Sequence, residues 1–203
     1  MLHSGYRVGK GDTIILESCE YCNSFLHFFP TVAVVLNVEE DHLDFFKNLD
    51  DIKASFRKFA QLVPPEGRVV ANADNPGTMD ALRGLPLFTF GCAPEADCRA
   101  ENLTWNRGRP DFDVVVGGDL YAHLSLRVAG MHNVYNALAA AAAAYTLGIS
   151  GKAVRQGLEG FFGAGRRFEL KGQYNGARVY DDYAHHPAEL RALLEMAQSL
   201  GSE

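Results

Sequence analysis

Five short segments hold the residues that could do chemistry. In the first, Glu17 closes an apolar run and Glu20 follows it. In the second, Glu39-Glu40-Asp41-His42-Leu43-Asp44 crowds four carboxylates and an imidazole into six residues. Oxygen-rich sets of this kind suit a hard cation such as Mg²⁺, which usually accompanies substrate phosphates. In the third, Gly130 to Asn136, Asn133 and Asn136 stand three apart, on one face near the start of a helix. A carboxamide offers both a donor and an acceptor, so the pair could read a base edge; Asn133 alone could equally be a helix cap. The fourth is Arg166-Arg167, whose guanidinium forks match phosphate oxygens or bridge two domains. The fifth, Asp181-Asp182-Tyr183-Ala184-His185-His186-Pro187, follows a strand, where an aspartate commonly accepts ribose hydroxyls. Its adjacent histidines diverge, which suits a shared metal poorly. Neither a Ser/His/Asp pattern nor a G-x-x-x-x-G-K-[ST] loop occurs in the chain. Taken alone, these residues indicate phosphate or nucleotide handling with Mg²⁺.

Such side chains need a frame, and the hydrophobic pattern supplies one. Continuous apolar runs at Asp12–Glu17, Thr31–Asn37, Arg68–Asn72 and Leu87–Phe90 fit strands buried on both faces of a parallel sheet. Ile52, Phe56, Phe59 and Leu62 share a helical face, and Pro64-Pro65 ends that helix. A short helix is expected near Thr78–Leu82. From Asp97 to Val128 the pattern alternates, with turns at Arg107-Gly108-Arg109-Pro110 and Gly117-Gly118-Asp119, as in an antiparallel meander. Helices follow at about Asn133–Leu147 and Gly151–Phe161. The first is packed with alanine, so a neighbour should lie close to its backbone. Gly163 to Arg167 reads as a hinge. Beyond it come a hairpin around Asn175-Gly176 and a helix opened by Pro187. The fold class is therefore α/β. It comprises a mostly parallel sheet flanked by helices, an attached antiparallel β-meander, and a truncated, Rossmann-like C-terminal piece.

Length and composition agree. The 203 residues, 47% hydrophobic, suffice for one globular domain, or a domain plus part of another. The 25 acidic against 19 basic residues leave a net charge of −6, which disfavours a non-specific nucleic-acid binder. No apolar run approaches the ~20 residues of a membrane span, and the start is polar where a secretion leader would be apolar. We therefore expect a cytoplasmic chain with neither nucleic-acid nor membrane partners. Cys19 and Cys22 form a C-x-x-C, but Cys92 and Cys98 do not make a second one, so the four read as reduced, structural thiols.

In this order, the five segments resemble the Mur ligases over nearly the whole chain. The motifs that carry the resemblance are E-x-x-E-x-x-x-S-F-L from Glu17 to Leu26, D-H-L-D around His42, H-N-x-x-N at His132 to Asn136, G-x-G-R-R-F at Gly163 to Phe168, and D-D-Y-A-H-H-P at Asp181 to Pro187. The resemblance implies an ATP-dependent, amide-forming ligase with Glu17 and His42 as Mg²⁺ ligands. Asn133 and Asn136 would reach the adenine. Arg167 would face the ATP phosphates and the reaction centre, and Asp182 the ribose, so His42 and Arg167 are the catalytic candidates. Ser24 to His27 and Asp41 to Asp44 look most like the alanine-adding branch, which implies UDP-N-acetylmuramate and L-alanine as the full enzyme's substrates. A branch that recycles murein tripeptide, or a non-catalytic module keeping the same core, would be the alternative; the H-N-x-x-N and D-D-Y-A-H-H-P elements argue against a folate-polyglutamate-type ligase. Residues 1–165 would be the central domain without its P-loop part, and 166–203 the start of the C-terminal domain, so the isolated piece is expected to be inactive. Cys19 departs from the family, standing where an acid is common.

Overall fold

A computed structural model describes residues 8–185 and 187–199. Six strands form one sheet: β1 (Val32–Val35), β2 (Arg68–Asn72), β3 (Leu87–Gly91), β4 (Cys98–Asn106), β5 (Arg109–Val116) and β6 (Asp119–Ser125), adjacent in that order. The first three pairings are parallel, with Val34 opposite Val70 and Ala71 opposite Thr89. The last two are antiparallel and make the expected meander. Its turns fall at Arg107-Gly108 and Gly117-Gly118, all with positive φ, as two-residue hairpin loops require.

Alternate residues of a strand face opposite sides, and β2 shows it. Val70 enters the cluster of Phe90, Phe112, Leu124, Val134 and Leu138, while Val69 and Ala71 enter that of Val35, Ile52, Ala81 and Leu82. The first face is covered by α3 (Met131–Thr146) and α4 (Gly151–Glu159), the second by α1 (Leu49–Gln61) and α2 (Pro76–Ala81). Ala137, Ala139, Ala141 and Ala142 of α3 are buried, and the small side chains let the helix axis approach the sheet. The buried Cys98 thiol lies 3.9 Å from the Leu138 carbonyl. Asn48 caps α1 by accepting the Asp51 N–H, and Asn75 caps α2 ahead of Pro76. The C-terminal piece is a two-stranded hairpin, β7 (Glu169–Tyr174) and β8 (Ala177–Asp181), followed by α5 (Pro187–Ser199).

One expected strand is not formed. Asp12–Glu17 pairs with no strand among the described residues, and Ile14 and Ile15 are 82% and 92% exposed. Its apolar run has β-propensity, but a strand also needs a neighbour's ladder and a surface to bury against. The cysteines also divide. All four are free; Cys98 is buried, which pushes its thiol pKa up to about 12, whereas Cys19 and Cys22 are exposed. A packing role therefore fits Cys98 and not the C-x-x-C pair. No described helix is long and apolar enough to cross a membrane.

Candidate functional site

Polar side chains stitch together the C-terminal ends of the parallel strands. Asn72 Nδ2 donates to the Leu36 carbonyl at 3.0 Å, and Asn75 Oδ1 accepts the Val38 N–H at 3.2 Å. Asp74, just past β2, accepts the N–H groups of Cys92 (2.6 Å) and Ala93 (3.1 Å) just past β3. This edge is where open α/β sheets gather ligands, and two groups of candidate residues are anchored there.

The first group is held by the loop after β1. His42 adopts a left-handed backbone (φ 52°), and its N–H donates to its neighbour Asp41 Oδ1 at 2.6 Å. Its carbonyl accepts the N–H groups of Phe45 and Phe46, so the imidazole sits on a closed turn. Opposite, a short 3₁₀ segment at Tyr21–His27 brings Glu20 Oε1 to 3.4 Å from His42 Nε2, and Asp41 Oδ2 lies 3.8 Å from the same nitrogen. One ligand atom from each of Glu20, Asp41 and His42 lies within 4.8 Å of the others, and all three residues are half-buried. The Tyr21 ring tilts over His42 at 4.7 Å, and its hydroxyl donates to Asp44, which raises the phenol's pKa. Two carboxylates and an imidazole at this spacing fit a divalent cation. Glu17, the ligand implied by resemblance, is exposed three residues upstream and is not a member of this group.

The second group surrounds the N-terminus of α3. The cap position is Gly130, with no side-chain cap, so Asn133 is not the cap. Instead Asn133 Nδ2 donates to the Ala129 carbonyl (2.7 Å) and contacts His132 Nε2 (3.0 Å), while Asn136 Nδ2 approaches Asn133 Oδ1 at 3.4 Å. The neighbouring Tyr135 donates its hydroxyl to Asp74 Oδ2 at 3.0 Å, which ties this helix end to the sheet edge; burial raises the phenol's pKa strongly. Across the hinge, Asp182 accepts the Phe168 N–H (2.6 Å) and the Ala184 N–H (2.8 Å). Partial burial lowers the His132 pKa; the Asp182 charge opposes that shift and the Arg167 charge adds to it. Asn133 thus contacts His132 on one side and Asn136 on the other. Arg166 points elsewhere, stacking on Tyr183 and lying 3.9 Å from Asp181.

Of the His-His pair, His185 contacts the Tyr183 carbonyl and Glu189, and His186 lies outside the described residues. Sequence reasoning did not single out Asp74 or Tyr135. The only signal was an aspartate two residues past a strand end.

The fold, a mostly parallel sheet with an attached meander and a C-terminal hairpin and helix, matches one family over most of the chain. The Mur ligase middle-domain model matches residues 9–144, and the Mur ligase glutamate ligase domain model matches residues 166–202. The chain belongs to the Mur ligase family.

Among curated relatives, the UDP-N-acetylmuramate–L-alanine ligase of Caldanaerobacter subterraneus subsp. tengcongensis is 46% identical over 95% of this chain and 43% of its own length. That of Clostridium acetobutylicum is 44% identical over 98% of this chain and 44% of its own length. The crystal structure of UDP-N-acetylmuramate-alanine ligase MurC from Thermotoga maritima superposes with a TM-score of 0.74 at 31% identity, over 88% of this chain and 40% of that one. A murein peptide ligase from Psychrobacter arcticus superposes at 0.64 and 31%, over 86% and 36%. The chain therefore spans less than half the length of the relatives it matches.

Proposed function

We propose that this chain is the core of an ATP-dependent ligase that joins L-alanine to UDP-N-acetylmuramate in peptidoglycan synthesis. The observation that carries the reading is the Asn133–Asn136 pair at the start of α3, tied through Tyr135 and Asp74 to a sheet edge that also holds a cation-ready triad. The identity to alanine-adding relatives, 44–46% over almost the whole chain, supports the choice of amino acid.

The reaction so assigned phosphorylates the lactyl carboxylate of UDP-N-acetylmuramate. The amine of L-alanine then attacks the acyl phosphate, phosphate leaves and an amide forms. His42 and Glu20, with Asp41 beside them, would hold Mg²⁺, and Glu17 is the further ligand that the family resemblance implies. When bound, the ion offsets charge on the transferring phosphoryl group. By the family resemblance, Asn133 and Asn136 would hold the base, Asp182 would take the ribose hydroxyls, and Arg167 would neutralise phosphate oxygens. Chemistry of this kind depends mainly on positioning, which is what the closed turn at His42 and the Asp74–Tyr135 tie provide. We assign residues 1–165 to the central domain and 166–203 to the start of the C-terminal domain, with the work done in the cytoplasm.

The test is phosphate release from ATP by the protein carrying this chain. UDP-N-acetylmuramate is the acceptor, and L-alanine or a murein tripeptide the nucleophile. Release that depends on L-alanine supports the reading; release only with the tripeptide assigns the chain to the recycling branch.

A further inference from the structure

His132 has no assigned role, yet it contacts Asn133 of the asparagine pair. Its ring lies against the backbone of Gly130: a Cβ there would stand 2.7 Å from His132 Cε1 and 2.9 Å from Nδ1, and Gly130 has φ +94°. The ring is thus seated where only glycine fits behind it. Its Nε2 faces Asn133 Nδ2 at 3.0 Å, and the same Nδ2 donates to the Ala129 carbonyl at 2.7 Å. An amide NH₂ has two hydrogens, and both now have acceptors inside the protein. The ring meets Asn133 with the nitrogen that lacks a proton, since a ring N–H could not accept.

The consequence concerns what Asn133 can show to a ligand. With its hydrogens engaged, only Oδ1 remains. That atom also receives the long 3.4 Å approach of Asn136 Nδ2, which keeps a second hydrogen of its own. The pair therefore offers an acceptor beside a donor. A purine with a 6-amino group beside N7 offers the complementary donor and acceptor, whereas a 6-oxo purine offers two acceptors.

We infer that His132 is a positioning residue for base selection: by accepting the Asn133 amide hydrogen it fixes the carboxamide with its oxygen outward, so the site favours a 6-aminopurine nucleotide over a 6-oxopurine one. This rests on the nucleotide reading of the asparagine pair.

The test compares ATP with ITP, which differ at that edge, by calorimetry or ligand-observed NMR taken to millimolar nucleotide with the 203-residue chain. Wild type should prefer ATP by about tenfold, the effect of one mismatched hydrogen-bond pair in a partly desolvated site. His132→Phe keeps a ring against Gly130 but removes the acceptor, so the preference should fall towards one, mainly through loss of ATP affinity. His132→Gln restores an acceptor and should recover part of it, which a purely structural role would not produce. In ligand-free protein, the Asn133 side-chain amide signals should shift in His132→Phe and return towards wild type in His132→Gln. An unchanged ATP-to-ITP ratio in His132→Phe, with unchanged Asn133 amide signals, overturns the inference and leaves the nucleotide reading standing. A wild-type chain that binds neither nucleotide overturns that reading, and base selection with it.

Discussion

Tyr135 donates its hydroxyl to the Asp74 carboxylate at 3.0 Å, joining residues 61 apart in the chain. Asp74 is also the acceptor for the Cys92 and Ala93 N–H groups, so one carboxylate binds the end of β3 to the start of α3. The two asparagines flank Tyr135 on that helix and inherit its position.

Removing either partner should therefore loosen the start of α3 and the asparagine pair on it. Tyr135→Phe deletes one hydrogen bond and should cost about 1 kcal/mol. Asp74→Ala strands two backbone donors as well and should cost about 2–3 kcal/mol. Urea unfolding measures both. Equal, negligible losses would mean that the tie is incidental.

Two glycines in α4 should behave oppositely. A Cβ on Gly151 would stand 1.6 Å from the Tyr121 carbonyl oxygen, so alanine there must push α4 off β6, at a cost of about 1–3 kcal/mol or more. Gly157 has nothing within 4 Å of its Cβ position, so Gly157→Ala should stabilise the helix by up to about 1 kcal/mol. Thermal unfolding of the two variants decides it; a shift in the same direction would contradict the packing described for this helix.

Much of this frame was legible in the sequence. Strand and helix positions followed from apolar runs and from the Ile52–Phe59 periodicity, and the hairpins from Gly-Gly and Asn-Gly, whose residues tolerate positive φ. What escaped was whatever depends on a distant neighbour. Asp12–Glu17 has a strand's composition but no partner strand among the described residues. Glu20, not Glu17, meets His42, because the 3₁₀ turn at Tyr21–His27 sets which acid faces the loop after β1, a contact across 22 residues. Asp74 is one aspartate among many until β3 and α3 bring their donors to it. The family resemblance supplied roles for residues, but not the carboxamide geometry around His132.

The meander should carry a pH-dependent contribution. His123 Nδ1 lies 2.7 Å from Asp113 Oδ1, and its Nε2 lies 3.4 Å from Asp111 Oδ1. The hydrogen bond that His123 donates to Asp113 raises the imidazole's pKa, while the bonds Asp113 accepts from Asn102 and His123 lower its own. A raised histidine stabilises below its unfolded value, near 6.5, and that contribution disappears as pH climbs through the folded one. Asp113 acts in the opposite sense: its contribution is present above the unfolded carboxylate value and is lost as pH falls through the lowered folded one. The pair should thus stabilise most between the two ranges. Since it is largely exposed, the effect should stay within about 1 kcal/mol. His123→Gln should lower the unfolding temperature more at pH 5.5 than at pH 8.5. An equal effect at both would show that the imidazolium is not involved.

The central claim is that one chain holds a Mg²⁺ group and a nucleotide group on the same sheet edge. The most direct measurement is calorimetric titration of ATP with and without Mg²⁺, on the wild type and on His42→Ala, Glu20→Ala, Glu17→Ala and Asn136→Ala. The account predicts weak, Mg²⁺-dependent binding that is lost in His42→Ala and Asn136→Ala and weakened at least as much by Glu20→Ala as by Glu17→Ala. Binding that is indifferent to Mg²⁺, or equal in His42→Ala, Asn136→Ala and the wild type, would contradict it.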